Sequence, residues 1–233
     1  MTLDSRAVIL STFRVAIREY VKRGEFKTEG SMNRHLWAAA LAFFRDEIDA
    51  FVFLDIFINE IENQLTRAWN EGARSVDVDP ADMTQNDNLH LQALINSEYN
   101  HIISLAEAIE NAKLYGWTLD KFRSGMRPRI DLWSARYRDV VNEARLWFGG
   151  KKRLIWRLGA TEEHCVTCNA LNGLVAWGEE WDQSQIRPQH PPNIFLSCGG
   201  WRCKCTLEPT EQRRGPQALA RLLNIAVLRA GGL

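Results

Sequence analysis

The sequence predicts a mainly α protein: a helical N-terminal domain over residues 1–150, then a small cysteine-rich α+β module over 151–212 and a helical tail over 213–233. Three observations carry this. No proline occurs before Pro80, so nothing breaks a helix across the first third of the chain. Apolar residues recur at steps of three and four through long segments of the first half. All five cysteines fall between Cys165 and Cys205, where glycines and prolines separate short apolar runs.

Taken in order, helices are expected over residues 5–22 and 33–46. Between 48 and 69, Phe51, Leu54, Ile58, Ile61, Leu65 and Ala68 form one stripe, and Phe53, Ile56 and Phe57 widen it, so this helix should be buried on more than one side. A polar break at Asp77 to Asp79 follows, and Asp79-Pro80 reads as an N-cap with a first-turn proline. A third stripe runs through Leu91, Leu94, Ile95, Ile102, Leu105 and Ile109, with one gap at Glu98. The fourth is clean: Ile130, Trp133, Tyr137, Val140, Val141, Ala144, Trp147 and Phe148. This half carries no convincing strand signal and no internal repeat.

Gly149-Gly150 ends the helical texture. Beyond it, the runs from Leu154 to Leu158, Leu174 to Trp177 and Cys203 to Leu207 are short and β-like. Leu219, Leu222, Leu223, Ala226 and Val227 then recur at helical spacing, as a final helix expected to pack back on the protein.

Composition is that of a soluble globular chain, with 45% hydrophobic and 25% charged residues and a formal net charge of zero. The charge is unevenly spread, with 12 Lys/Arg against 7 Asp/Glu from Arg145 onward. That surplus is too mild to declare a nucleic-acid binder. Residues Met1 to Arg6 show no secretory signature, and the longest apolar run, Ala50 to Ile58, is broken by Asp55. The expectation is a soluble intracellular chain with no membrane contact.

The chemistry sits in the cysteines. Cys165-Val166-Thr167-Cys168, a long gap, then Cys198 and Cys203-Lys204-Cys205 have the paired-cluster spacing of a zinc site. Zinc takes four soft or borderline ligands in a tetrahedron, and a Cys-x-x-Cys turn supplies two of them. Glycines beside the second cluster let the backbone curl so that its amides point at sulfur. A module this small buries too little to fold securely alone, and a bound zinc can contribute on the order of 10 kcal/mol. Cys203 and Cys205 are two apart and would face opposite ways in a strand. The expected ligands are therefore Cys165, Cys168, Cys198 and Cys203, with Cys205 in reserve and His190 a weaker substitute. A disulfide framework fits neither the odd cysteine count nor the lack of a signal peptide. A redox Cys-x-x-Cys leaves the other three cysteines unexplained.

The string from Trp156 through Gly159, Thr161, His164, Cys165, Cys168, Leu171 and Gly173 resembles the C-terminal signature of the Mu F-like family of phage head morphogenesis proteins. Pro188, Pro191, Pro192, Cys198 and Cys203-Lys204-Cys205 match its second half. Lys204 replaces the family's usual arginine, and Cys198 stands where many members have histidine. The likeness spans Trp156 to Leu207. It implies a minor capsid protein without catalytic residues, found in the host cytoplasm during assembly and then in the virion. Its implied partners are the portal or major capsid protein, with possible DNA contact and no small-molecule substrate.

Two other functions compete. An HNH-like metal-dependent nuclease would use His164, and His190 with Asn193, but no second set of metal ligands follows the last cysteine. A zinc-dependent nucleic-acid-binding module would use Lys151, Lys152, Arg153, Arg157, Arg202 and Lys204 near Trp156 and Trp201. Asp77, Asp79 and Asp82 read as caps and turn residues, since the glycine and glutamate of a calcium loop are missing. His35, His90 and His101 read as ordinary surface or satisfied core histidines.

Overall fold

A computed structural model describes residues 31–230 apart from Glu162 and Arg202; the helix expected over 5–22 lies outside the described residues. The protein is mainly helical. Among the described residues the order is α1 (Ser31–Phe44), α2 (Ala50–Ser75), a 3-10 turn (Pro80–Asp82), α3 (Gln85–Leu114) and α4 (Leu119–Phe148). Then come β1 (Arg153–Arg157), α5 (Val166–Leu171), β2 (Val175–Trp177), α6 (Gly178–Ser184), β3 (Thr206–Pro209) and α7 (Ala218–Ala230). Among the described residues no helix is long and apolar enough to cross a membrane.

Side-chain caps define several starts. Asp79 Oδ1 accepts from the Ala81 amide at 2.9 Å ahead of Pro80, the cap-plus-proline start expected from sequence. Thr84 and Asp87 cap α3 reciprocally: the Asp87 amide donates to Thr84 Oγ1 at 3.3 Å, and the Thr84 amide donates to Asp87 Oδ2 at 2.7 Å.

By compactness the described chain forms two units, residues 31–64 with 92–134 and residues 65–91 with 135–230. In the first, α2 is buried at Ile61 of the expected stripe and at Phe53 and Phe57 of the residues expected to widen it, whereas Leu54 and Ile58 are half-buried and Phe51 is 57% exposed. Two residues turn a helix by roughly 200°, so Phe51 lies across from Phe53 rather than beside it. Phe53 stacks on Phe43 and touches Phe57, which meets Trp133 edge-on at 5.4 Å. The gap in the α3 stripe has a partner: buried Glu98 accepts the Trp133 indole N–H at 3.1 Å.

The second unit holds a three-stranded antiparallel sheet in the order β2-β1-β3. Leu154, Ile155 and Trp156 of β1 are all buried, which is why the central strand reads as a continuous apolar run rather than an alternation. β1 pairs Ile155 with Val175 on one side and Trp156 with Leu207 on the other. α7 packs on α6 and β2 through Ala218 and Leu222, as the expected packed-back helix. Trp156 stacks on Trp181 at 5.7 Å, and the Trp181 indole donates to Leu154 O at 3.1 Å. Expected as Cys203 to Leu207, the third strand instead begins at Thr206, so both of those cysteines precede it.

β3 is an edge strand, and α4 covers it. The Leu207 amide donates to Asn142 Oδ1 at 3.2 Å, and Arg145 donates to Leu207 O at 2.6 Å. Both backbone groups of Leu207, which turn away from β1, are thereby paired.

Candidate metal centre

Three stretches of chain bring the cysteines together. Cys165 is the N-cap of α5, extended at φ −65° and ψ 157°, and its sulfur accepts from the Cys168 amide at 3.3 Å. One helical turn then sets Cys168 beside it, on the buried side with Leu171. Thr167, also buried, shares a 2.6 Å hydrogen bond with Ser197 Oγ and accepts from the Ser197 amide, tying α5 to the loop that carries Cys198.

That loop is shaped by Gly199 and Gly200, at φ 62° and 80°. A side chain on Gly200 would place Cβ 2.8 Å from His190 O, against main chain that cannot swing away. The curl aims the Gly200 amide at Cys198, as the glycines predict. Gln189 is buried and donates to Cys205 O at 2.7 Å, while Asn193 donates to Gln185 O at 3.1 Å. On the far side, Gly159 lies so close to Lys204 that a Cβ would come 1.8 Å from Lys204 O. Its amide faces the Cys205 sulfur.

The sulfurs of Cys165, Cys168 and Cys198 lie within 4.8 Å of one another, and so do those of Cys168, Cys203 and Cys205. All five cysteines are free, and Cys168 belongs to both sets. These cysteine groups could hold a metal ion: the donors are soft, close and partly to fully buried. Among the expected ligands, Cys165, Cys168 and Cys198 share one set, while Cys203 stands in the other with Cys205. The alternation that would separate Cys203 from Cys205 does not operate, because neither lies in the strand.

The thiols share their protons. Cys168 is held well above the ordinary thiol value because its S–H is engaged by Cys203 and Cys205, with burial adding. Cys205 is correspondingly pushed down by donation from Cys168 and Cys203 against the cost of burial, helped by the Gly159 amide. Burial pushes Cys198 up to about 11 despite the Gly200 amide. At Cys165 burial also raises the value, but the Cys168 amide and the neighbouring Cys168 and Cys198 side chains outweigh it and hold the thiol low. A metal ion bound to such a set displaces these protons, so its affinity falls with acidity.

Two histidines flank the cluster differently. His164 Nδ1 lies 4.0 Å from Cys205 Sγ, and Thr161 Oγ1 lies 3.1 Å from the same ring nitrogen. His190 instead pairs through Nδ1 with Asp139 Oδ1 at 2.9 Å, and Arg136 also engages that buried carboxylate. His90 is stacked between Trp69 and Trp147, its Nε2 3.4 Å from Glu143 Oε1. The supporting residues of α4 were not legible beforehand. Asp139 holds His190, Asn142 and Arg145 hold Leu207, and Glu143 holds Arg187, so the helix fixes the loop between the cysteine clusters and the strand that follows the second. Their only sequence signal was position: polar residues bordering the apolar stripe of Val140, Val141 and Ala144.

Compared with models of protein families, with curated proteins and with solved structures, the chain matches none.

Proposed function

We propose that this chain is a phage minor head protein, a structural component whose C-terminal part is stapled by zinc. The observation that carries the reading is the gathering of five free sulfurs, inside the Trp156 to Leu207 stretch that resembles the Mu F-like signature, into sets that each offer three corners of a metal site. Zinc is the ion the donors favour, since thiolates at tetrahedral corners are its ordinary structural environment. Cys165, Cys168, Cys198 and Cys203, with Cys205 beside them, would hold it. Bound zinc supplies a fixed cross-link between chain segments that a three-stranded sheet alone holds weakly.

The protein's own residues do the rest. Amides of Cys168, Gly200 and Gly159 support the sulfurs, Thr167, Gln189 and Asn193 fix the loops, and α4 closes the sheet edge. Such a construction yields a rigid knob suited to an assembly contact rather than to turnover. The nuclease reading calls on His190, whose Nδ1 is engaged by Asp139.

The partner in this reading is the portal or major capsid protein, met in the host cytoplasm and retained in the virion. Co-expression with the portal protein of the same phage, followed by affinity purification, tests it. A complex that persists at moderate salt is expected, and its absence with both partners folded would refute the assembly role.

A further inference from the structure

The five sulfurs do not form one tetrahedron. In a zinc–tetrathiolate with bonds of about 2.3 Å, all four sulfurs lie roughly 3.8 Å from one another. Among the described residues, the sulfurs mutually within 4.8 Å come as two sets of three with Cys168 in common. A single four-sulfur site requires a cysteine to leave one set for the other. Two sites with a shared ligand require no such exchange.

We propose that the cluster is a pair of adjacent metal sites bridged by Cys168: an outer site of Cys165, Cys168 and Cys198, and an inner site of Cys168, Cys203 and Cys205, with His164 the nearest further donor beside Cys205. The inference rests on the metal-binding reading above and deepens it. His164 Nδ1 lies 4.0 Å from Cys205 Sγ, outside the mutual 4.8 Å of the three sulfurs and 3.1 Å from the Thr161 hydroxyl, so it closes the inner site only by turning from Thr161 toward the ion. Once turned, it would make the inner site three thiolates and one imidazole, an established structural zinc set. Apart from the shared Cys168, the inner site has one buried and one half-buried cysteine, Cys205 and Cys203, which makes it the more enclosed of the two. Cys165 and Cys198 are half-buried, so the outer site has three sulfurs and a fourth position open to solvent or to a partner's donor.

Charge favours the pair. Four thiolates around one divalent ion, with the fifth cysteine a neutral thiol, would leave a net charge of about −2, whereas five thiolates around two ions leave about −1. The class of ligand is a thiophilic divalent cation, with zinc the natural choice for both sites and the outer one the more readily exchanged.

The test is a cobalt(II) titration of metal-free, full-length protein kept reduced with a phosphine, reading the thiolate-to-cobalt charge-transfer band. Native mass spectrometry of the zinc-loaded protein accompanies it and needs no variant. Wild type should saturate at about two ions per chain, and Cys198→Ser, checked for folding by circular dichroism, at about one. Saturation at one ion in wild type would overturn the bridged pair while leaving the single-zinc reading standing. Two ions in folded Cys198→Ser would overturn the outer-site assignment. Binding of no ion by wild type would overturn the metal reading itself.

Discussion

Replacing Asn142 by alanine removes one side-chain oxygen and leaves the Leu207 amide, at a position with no exposed surface, without its acceptor. An orphaned buried donor costs about 1–3 kcal/mol. Part of that returns, because Asn142 Nδ2 is itself buried without a partner and disappears with the substitution. The net loss should be about 1–2 kcal/mol, equivalent to a fall in Tm of roughly 2–8 °C for a chain of this size. Arg145→Met keeps an apolar stem but strands Leu207 O, and it relieves a guanidinium whose pKa burial depresses; the loss should again be about 1–2 kcal/mol. The two act on one residue's backbone, so the double variant should depart from additivity by at least about 0.5 kcal/mol. Thermal melts give the stabilities, and hydrogen exchange at the Leu207 amide gives the local readout. An Asn142→Ala protein that melts within about 1 °C of wild type, with Leu207 exchange unaltered, would refute the claim that α4 holds the sheet edge.

Other consequences follow from single contacts. Gly159→Ala drives a Cβ to 1.8 Å from Lys204 O, so main chain must shift beside Cys205. A stability loss of about 1–3 kcal/mol and weaker metal retention in a chelator competition are expected, whereas unchanged retention would deny that this approach shapes the site. Arg214 holds the Glu180 carboxyl below its ordinary value of 4.5, against burial and with help from the Trp177 amide. A depressed folded-state pKa stabilises above 4.5 and is lost as pH falls through the folded value. Glu180→Gln should therefore melt below wild type at neutral pH and converge with it in acid, while a gap that does not shrink on acidification would contradict the pairing. Chelator treatment at neutral pH should lower the melting temperature of wild type, whereas a melt indifferent to chelator would deny metal a structural role.

Much of the fold was legible because its signals are local. The stripes of α2, α3 and α4, the Asp79-Pro80 start and the strand at Leu154 follow from periodicity and capping alone. The first half of the α2 stripe was centred on the wrong residues: Phe51 is exposed and Leu54 and Ile58 half-buried, whereas Phe53 and Phe57, read only as widening it, are the buried ones, because apolarity alone does not fix side-chain direction. The cysteine cluster was legible from spacing, but the joining of Cys203 and Cys205 in one set was not. That pairing depends on where β3 begins, and strand ends are set by tertiary hydrogen bonds such as Gln189 to Cys205 O. Asp139, Asn142 and Glu143 looked like solvated residues on the margin of a helix. They are buried because their partners, His190, Leu207 and Arg187, are 44 to 65 residues away in sequence, a separation that no local pattern reports.

The most direct measurement is the metal content of full-length protein purified without chelators, beside Cys168→Ser. Zinc at about one or two atoms per chain in wild type, lost in the variant because Cys168 belongs to both sulfur sets, is the expected result. Wild-type protein that folds and carries no metal would contradict the metal centre, and would leave the likeness to the phage head family resting on cysteine spacing alone.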